Sequence, residues 1–356
     1  MRNKILYIKH GDSTFIKQDQ DILEKHYVVK PFLLYQAAGQ FRYFLRLARL
    51  PFFILFNAYG TKMMITWFAD YHAAIMAFWG RILGIQVVII AGGQEAVCYP
   101  ELGKGIYRSK FRGACAKYAL RHASLVIPNH KSLIWHENFY YTPDGKKDGI
   151  KYYVPGIKTP MEVIFNGIND KKYFRDHSIQ KEAKLVLTVG GNMSAKNDFY
   201  NKGFDLLIAL AKSRPELNFI MIGIKKSFLP WVQEHYAVDQ IPNLKLILSF
   251  CPDEVLFETY NKAVYYIQAS ITEGMPNTLN EAMLCGCIPI GSHVNGIPDA
   301  IGDCGVIVEK RELAALSQAL DKAMSLQLDE DSIIAQAKKF SLPIREKALI
   351  ELLASL

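Results

Sequence analysis

The sequence lacks any long apolar run. Its most hydrophobic stretch, LPFFILFN at residues 50–57, is far shorter than the roughly 20 residues that span a bilayer. At the N-terminus, MRNKILYIKHGDST has a short apolar core followed at once by Lys, His and Asp, which predicts a first buried strand and no signal peptide. We therefore expect a cytoplasmic chain without a membrane-spanning segment.

Cysteine pairs and charged residues are also scarce. The six cysteines are scattered over 356 residues, and only Cys285 and Cys287 form a C-x-C, without a second pair or a histidine cluster. This pattern excludes a disulfide scaffold and predicts reduced thiols and no metal site. With 21% charged and 50% hydrophobic residues the chain can bury sizeable cores, and its length suggests two domains.

Acidic residues are few in the first half. Residues 1–160 contain 22 Lys and Arg against 10 Asp and Glu, whereas residues 161–356 contain 20 against 24. Such asymmetry indicates that the first half meets an anionic partner. The second half is acidic and no nucleic-acid-binding module is recognisable, so we expect no nucleic acid partner.

One predicted helix of the first half, Gln36–Leu50, and the residues directly after it combine basic and aromatic side chains. Arg42, Arg46 and Arg49 share one face, beside Phe41, Phe44, Phe52 and Phe53. This combination suits an anionic membrane surface. The alternative is that the helix packs its apolar stripe into the core of the first domain.

Short apolar runs alternate with helical patterns in both halves, which is typical of parallel sheets covered by helices. Between residues 135 and 160, Asp-Gly and Pro residues break the alternation and indicate a hairpin or mobile loop followed by a linker. We predict an α/β fold with two facing Rossmann-like doubly wound domains, residues 1–160 and 161–338, and a cleft between them. A C-terminal helix, residues 339–356, is expected to pack back on the first domain.

The sharpest local pattern is SITEGMPNTLNEAM at residues 270–283, which follows a predicted strand, Ala263–Gln268, and opens a predicted helix, Asn277–Cys285. Asn277 suits the N-cap position, and a helix N-terminus can seat phosphate oxygens. Glu273 and Glu281 can face one cleft, where carboxylates accept hydrogen bonds from sugar or ribose hydroxyls. The alternative is that Glu281 only favours the helix dipole and Glu273 is solvated.

This segment resembles the E-G-x-P-N-x-x-x-E-A-M pattern of retaining glycosyltransferases of the GT-B fold, in particular glycosyltransferase family 4 (glycosyl transferases group 1). Further blocks resemble the same family in the same order, at residues 163–174, 202–207, 286–290 and 295–305. The resemblance covers about residues 163–309. It implies transfer of a sugar from a nucleotide-diphosphate sugar, without a required cofactor or metal.

The resemblance implies roles for individual residues. The catalytic pair would be Glu273, which contacts sugar hydroxyls, and Lys202, which pairs with the diphosphate; Glu281 would bind the ribose. The other donor-binding positions are Gly190, Gly191, Lys196, Phe250, Cys251, Gly274, Met275, Pro276, Asn277 and Thr278. Where the family usually has an arginine, Asn192 stands here, and Lys196 is the candidate for the second cation.

The resemblance is weaker in the first half, and the expected acceptor residues are accordingly several. Many relatives place a histidine where this chain has Ala91-Gly92-Gly93. The acceptor-side candidates are Gly11, Asp12, Asp70, His72, Gln94 and Glu95. Retaining chemistry of this type needs no strong base, because the leaving diphosphate can accept the proton while the site stabilises developing charge.

Together these patterns predict a glycan or lipid-linked acceptor and a protein peripheral to the inner face of the cytoplasmic membrane. The role expected is bacterial surface polysaccharide synthesis (capsule, O-antigen or exopolysaccharide). The alternatives are a nucleotide-sugar epimerase or a phosphorylase of the same fold, and a catalytically impaired homologue that binds sugar nucleotides.

Overall fold

The computed structural model describes residues 3–11, 13–34, 39–249 and 251–356. The chain divides into two compact units. Unit 1 contains Met1–His136, Lys147–Gly167 and Pro343–Leu356, and unit 2 contains Glu137–Lys146 and Ile168–Leu342.

These division points differ from the expected boundaries at residues 160 and 338. The chain enters unit 2 after Gly167 and leaves it after Leu342. Residues 137–146 also belong to unit 2, because Asn138 and Tyr140 form hydrogen bonds with residues of that unit.

Unit 1 is built on a five-stranded sheet of order β2-β1-β3-β4-β5, in which all neighbouring strands are parallel. The inner strands Lys4–Lys9 and Gln86–Ala91 are nearly continuous apolar runs, as parallel strands buried on both faces must be. They are β1 Lys4–Lys9, β2 Val28–Leu33, β3 Thr61–Trp67, β4 Gln86–Ala91 and β5 Leu125–Pro128. The helices are α1 Thr14–His26, α2 Gln40–Asn57, α3 Tyr71–Leu83, α4 Lys110–His122 and α5 Ile150–Tyr153, with 3-10 turns at Pro100–Leu102, Ile106–Arg108 and Lys131–Leu133.

Helix α2 runs further than the sequence pattern predicts. We expected a helix from Gln36 to Leu50; the first residues of that range lie outside the described chain, and the helix continues through Pro51 to Asn57. A proline inside a helix removes one hydrogen bond and costs about 3 kcal/mol. The buried stripe of Tyr43, Leu47, Leu50 and Ile54 continues across it, and burial of this stripe outweighs the lost bond.

Unit 2 is built on a six-stranded parallel sheet of order β10-β9-β8-β11-β12-β13. Its strands are β8 Glu182–Met193, β9 Asn218–Ile224, β10 Leu244–Leu248, β11 Ala263–Gln268, β12 Ile288–Ser292 and β13 Val306–Val308. Its helices are α6 Lys196–Asn201, α7 Phe204–Ser213, α8 Leu229–Tyr236, α9 Asp253–Lys262, α10 Asn277–Leu284, α11 Ile297–Ile301, α12 Leu313–Ser325 and α13 Glu330–Lys338, with a 3-10 turn at Val238–Gln240. Two short strands, β6 His136–Asn138 and β7 Lys146–Asp148, form a separate two-stranded sheet.

The strand orders determine where sites can form. In unit 1 the order reverses between β1 and β3, and in unit 2 it reverses between β8 and β11. At such a switch point the loops that follow the two strands diverge and leave a crevice at the carboxyl edge of the sheet. In unit 1 such a crevice follows β1 and β3, and in unit 2 it follows β8 and β11.

The last helix, α14 Leu342–Ala354, carries a buried ion pair of unit 1. The Arg345 guanidinium donates to both carboxylate oxygens of Asp19 on α1 at 2.7 Å, and both side chains are almost fully buried. Trp67 Nε1 also donates to Asp19, at 2.9 Å. The Asp19 carboxylate is therefore fully engaged by groups of unit 1.

Candidate functional site

In unit 2, the loop after β11 meets the turn before α7. Lys202 Nζ lies 2.9 Å from each carboxylate oxygen of Glu273, and both side chains remain about one-fifth exposed. The next residue must be glycine, because Gly203 has a φ of 73° and a Cβ there would lie 2.3 Å from the Ala269 oxygen. This close approach brings Lys202 to Glu273.

Helix α10 begins directly after this loop. The N-cap position is Pro276, without a side-chain cap, and Asn277 is the first helical residue, so the expectation that Asn277 itself caps the helix is wrong by one residue. Proline carries no side-chain acceptor, and the first N–H groups of α10 receive no cap from it. The N-terminus of α10 therefore keeps the positive end of its dipole beside the Glu273 loop.

Glu281 lies within α10 and has its own set of partners. Tyr260 donates its hydroxyl hydrogen to Glu281 Oε2 at 3.0 Å. Burial raises the pKa of Glu281 to about 7, against the opposing influence of this hydrogen bond and of Lys172, whose ammonium pairs with Asp253 at 2.8 Å. A ligand that donates hydrogen bonds to this carboxyl group favours its ionised form.

The other predicted donor-side residues lie in this loop, in α10 or towards the end of β8. Gly274 accepts a hydrogen bond from Gly296 N at 3.0 Å, Met275 is buried, and Thr278 donates to Gln268 at 3.3 Å. Gly190 is packed against Phe204, whereas Gly191 has a φ of 78° and no atom near the position of a Cβ.

The remaining donor-side expectations concern Lys196 and the residues after β10. The ammonium of Lys196 lies 5.0 Å from the ring centroid of Trp231 in a cation–π contact. Cys251 is half-buried, and burial raises the pKa of its thiol. Phe250 lies outside the described residues.

In unit 1, Asp70 follows β3 at the switch point. It caps α3 by accepting a hydrogen bond from Tyr71 N at 2.8 Å, and it pairs with Arg112, whose Nη2 lies 2.6 Å from its carboxylate. A cavity of about 420 Å³ opens beside this pair. Its lining consists of Gln40, Tyr43, Phe44, Asp70, Tyr71 and Arg112.

The other acceptor-side expectations have mixed outcomes. His72 is fully buried, because the first turn of α3 directs it at β3, where its Nε2 lies 2.8 Å from Thr66 Oγ1. It has no surface that a ligand could reach, so we leave it out of the acceptor side. Gly11 is half-buried, and Asp12 lies outside the described residues.

Gln94 and Glu95 hold the loop after β4. Gln94 is exposed and accepts from Gly105 N at 3.0 Å. Glu95 is buried and accepts from Gly92 N at 2.6 Å; burial raises its pKa to about 7.

Among the described residues, no group of three or more His, Cys, Asp or Glu side chains is arranged to hold a metal ion. In the same part of the chain, no helix has the length and hydropathy needed to cross a bilayer.

A family profile described as glycosyl transferases group 1 matches residues 169–340. The match covers just under half of the chain. We call residues 169–340 the group 1 segment; it includes β8 to α13 and hence Lys202, Glu273 and Glu281.

The chain is similar to two curated relatives. It is 27% identical over 152 residues to the GPI3 subunit of phosphatidylinositol N-acetylglucosaminyltransferase from Saccharomyces cerevisiae, a match that covers 41% of this chain and 32% of the yeast protein. It is 25% identical over 238 residues to N-acetylgalactosamine-N,N'-diacetylbacillosaminyl-diphospho-undecaprenol 4-alpha-N-acetylgalactosaminyltransferase from Campylobacter jejuni, covering 64% and 56%. The matches thus span about a third of the first relative and just over half of the second.

A solved structure matches both units. The crystal structure of Anabaena Alr3699/HepE in complex with UDP-glucose has a TM-score of 0.68 and 16% identity, and the match covers 99% of this chain and 100% of that one. At this identity the likeness concerns the fold, which is that of the GT-B glycosyltransferases. The predicted α/β class and GT-B fold are confirmed.

Several residues of these sites were not predicted. Tyr260, which bonds Glu281, and Arg112, which bonds Asp70, were not predicted in these roles. His10 directly follows β1, and its ring contacts that of His72 at 4.1 Å; burial lowers its pKa to about 4. Its place at the end of the first strand was the one available signal.

Proposed function

We propose that this protein is a retaining glycosyltransferase that uses a nucleotide-diphosphate sugar. The observation that carries the proposal is the contact of the Lys202 ammonium with both oxygens of Glu273, next to the N-terminus of α10. A cation and a helix N-terminus suit a diphosphate, and a carboxylate beside them suits sugar hydroxyls. The group 1 segment covers all three features.

In this proposal the donor replaces an internal contact. The diphosphate competes for the Lys202 ammonium, and Glu273 is then able to accept hydrogen bonds from the sugar. Glu281 accepts them from the ribose. The backbones of Gly190, Gly191 and residues 274–278 line the donor, with Lys196, Phe250 and Cys251 at its margin.

The proposed reaction proceeds with retention and without a required metal. The bond between the sugar C1 and the diphosphate oxygen breaks, and the acceptor oxygen bonds to C1 on the same face. The acceptor proton passes to the leaving phosphate. Lys202 and the N-terminus of α10 stabilise the growing negative charge, which is the main contribution expected of the protein.

For the acceptor side we propose the cavity beside Asp70 and Arg112, together with Gly11, Asp12, Gln94 and Glu95. The cavity offers aromatic walls and a charged pair, a combination that suits a sugar with both apolar faces and hydroxyl edges. Within the charged pair, Arg112 is the more exposed side chain, since Asp70 is nearly buried.

We further propose a lipid-linked or glycan acceptor at the inner face of the cytoplasmic membrane, in bacterial surface polysaccharide synthesis. Helices α2, α3 and α4 contain no Asp or Glu. Their exposed aromatic side chains are Phe41, Phe44, Phe52, Phe56, Phe78 and Phe111. The names of both curated relatives contain a lipid, phosphatidylinositol or diphospho-undecaprenol, which is consistent with such an acceptor.

The three arginines of α2 differ in this respect. Arg42 and Arg49 are exposed, whereas Arg46 is half-buried and donates to the Leu33 oxygen at 3.2 Å. Only Arg42 and Arg49 are therefore positioned to contact an anionic membrane surface.

A thermal-shift panel of UDP-, GDP- and ADP-sugars tests the proposal. A ligand at about 100 times its Kd stabilises a protein by about 2.7 kcal/mol, so one base should raise the Tm clearly. Lys202→Ala should reduce this shift, while Arg214→Ala, which removes a surface ion pair in the same unit, should not. No shift with any sugar nucleotide would contradict the proposal, and turnover of the donor without any acceptor would favour the epimerase.

A further inference from the structure

Three asparagines hold the backbone of the loop that carries Glu273. Their side chains are buried. Asn138 Nδ2 donates to the Ile271 oxygen at 2.7 Å, Asn201 Nδ2 donates to the Thr272 oxygen at 3.4 Å, and Asn295 Oδ1 accepts from Glu273 N at 3.0 Å. Three consecutive residues of an irregular loop are thus each fixed by an amide group.

One of these asparagines comes from a distant part of the sequence. Asn138 belongs to residues 137–146, the short segment of the first half that is part of unit 2. The segment has a second hydrogen bond to unit 2, because the backbone carbonyl oxygen of Tyr140 accepts from Arg311 N at 3.2 Å. The Arg311 guanidinium in turn bonds both oxygens of Asp205, in the first turn of α7.

The other two asparagines connect the loop to the rest of the site. Asn201 directly precedes Lys202, so one turn supplies both a backbone contact and the cation that pairs with Glu273. Asn295 adopts a φ of 48°, a left-handed conformation that asparagine tolerates better than most residues. Its side chain can therefore turn back to the Glu273 backbone.

We propose that Asn138 and Asn295 are positioning residues, which hold the Glu273 carboxylate in register with Lys202 by fixing the backbone on both sides of it. Asn138 acts through the Ile271 carbonyl, and Asn295 acts on the N–H of Glu273 itself. The inference rests on the proposed function, in which Glu273 contacts the donor sugar. A displacement of a reacting group by about 1 Å can lower a rate about 10²-fold, so such fixing has kinetic consequences.

A double-mutant cycle between Asn138→Ala and Glu273→Gln tests this role, with turnover of the nucleotide sugar selected by the thermal-shift panel. Asn138→Ala should lower kcat by about 10- to 10²-fold and change the KM for the donor by less than about threefold. In the Glu273→Gln background, Asn138→Ala should cause almost no further loss of kcat, because the Glu273 carboxylate that Asn138 positions is already absent.

Asn243→Ala is the matched control. The Asn243 amide donates to the oxygens of Ala211, Arg214 and Leu217 at 2.9–3.0 Å, so it also fixes loop backbone in unit 2, away from the Glu273 loop. Its loss should lower the Tm, and any change in kcat should be the same in both backgrounds. Equal fold-losses for Asn138→Ala in the two backgrounds would overturn the proposal.

Asn295→Gly provides an independent variant if Asn138→Ala does not fold. Glycine adopts the φ of 48° without strain, so this change removes the acceptor of the Glu273 N–H without distorting the backbone. We expect about a tenfold loss of kcat that disappears in the Glu273→Gln background, and an unchanged kcat would refute the positioning role. If the wild-type protein neither binds nor turns over any nucleotide sugar, the proposed function fails; an active wild type with additive effects refutes the positioning role alone.

Discussion

Donor binding should depend on pH through Glu281. Burial raises the pKa of this carboxyl to about 7, so its protonation state changes near neutral pH. Ribose hydroxyls donate hydrogen bonds, and the ionised carboxylate is the better acceptor. Affinity should therefore be present above pH 7 and be lost as the pH falls through that value.

The magnitude follows from the pKa. If only the ionised form binds, the apparent Kd rises about twofold at pH 7 and about tenfold at pH 6 relative to its value at high pH. Stability should change in the opposite direction. A raised carboxyl pKa means that the folded protein binds more protons than the unfolded chain between about pH 4.5 and 7, so its free energy of unfolding falls as the pH rises through that window.

Calorimetric titration of the nucleotide sugar between pH 5.5 and 8 measures the effect. A nucleotide sugar is preferable to the free diphosphate, because its terminal phosphate is esterified and has no second ionisation near pH 6. Glu281→Gln should bind more weakly but with a flat pH profile. Glu95→Gln, which removes the other carboxyl with a pKa of about 7, should retain the wild-type slope. A flat wild-type profile, or a slope that survives in Glu281→Gln, would refute the reasoning.

Three further outcomes are expected. Lys202→Ala should lower kcat by about 10²-fold or more, because it removes the cation beside Glu273. Lys196→Ala should lower kcat less if the Lys196 ammonium stays on the Trp231 ring. Equal losses of kcat in the two variants would contradict this expectation. Arg345→Ala leaves the buried Asp19 carboxylate unpaired and should lower the free energy of unfolding by about 3–5 kcal/mol in urea denaturation, and a loss below about 1 kcal/mol would count against it. Binding to vesicles that contain anionic lipid should weaken in the Arg42→Ala, Arg49→Ala double variant and persist in Arg46→Ala; no binding at low salt would exclude the membrane surface.

Much of the fold could be predicted from sequence because parallel strands and their covering helices have distinct local patterns. The predicted strand Ala263–Gln268 has the bounds found in the structure, and the helix predicted after it begins at the expected Asn277. The end of α2 could not be predicted in this way. Whether Pro51 stops a helix depends on how much apolar surface the following turn buries.

The residues that support the site could not be predicted, because their contacts join positions that are distant in the sequence. Glu273 and Lys202 are recognisable from local motifs, but the Asn138 contact with Ile271 joins residues 133 positions apart. No local pattern shows which part of the chain residues 137–146 pack against. His72 was misplaced because helical spacing alone does not show which side of α3 faces the sheet.

A crystal structure with a bound nucleotide sugar tests the central claim most directly. We expect the diphosphate within hydrogen-bond distance of Lys202 Nζ and at the N-terminus of α10, with sugar hydroxyls on Glu273. A donor bound elsewhere, or a Glu273 carboxylate still paired with Lys202 and out of contact with the sugar, would contradict the proposed function.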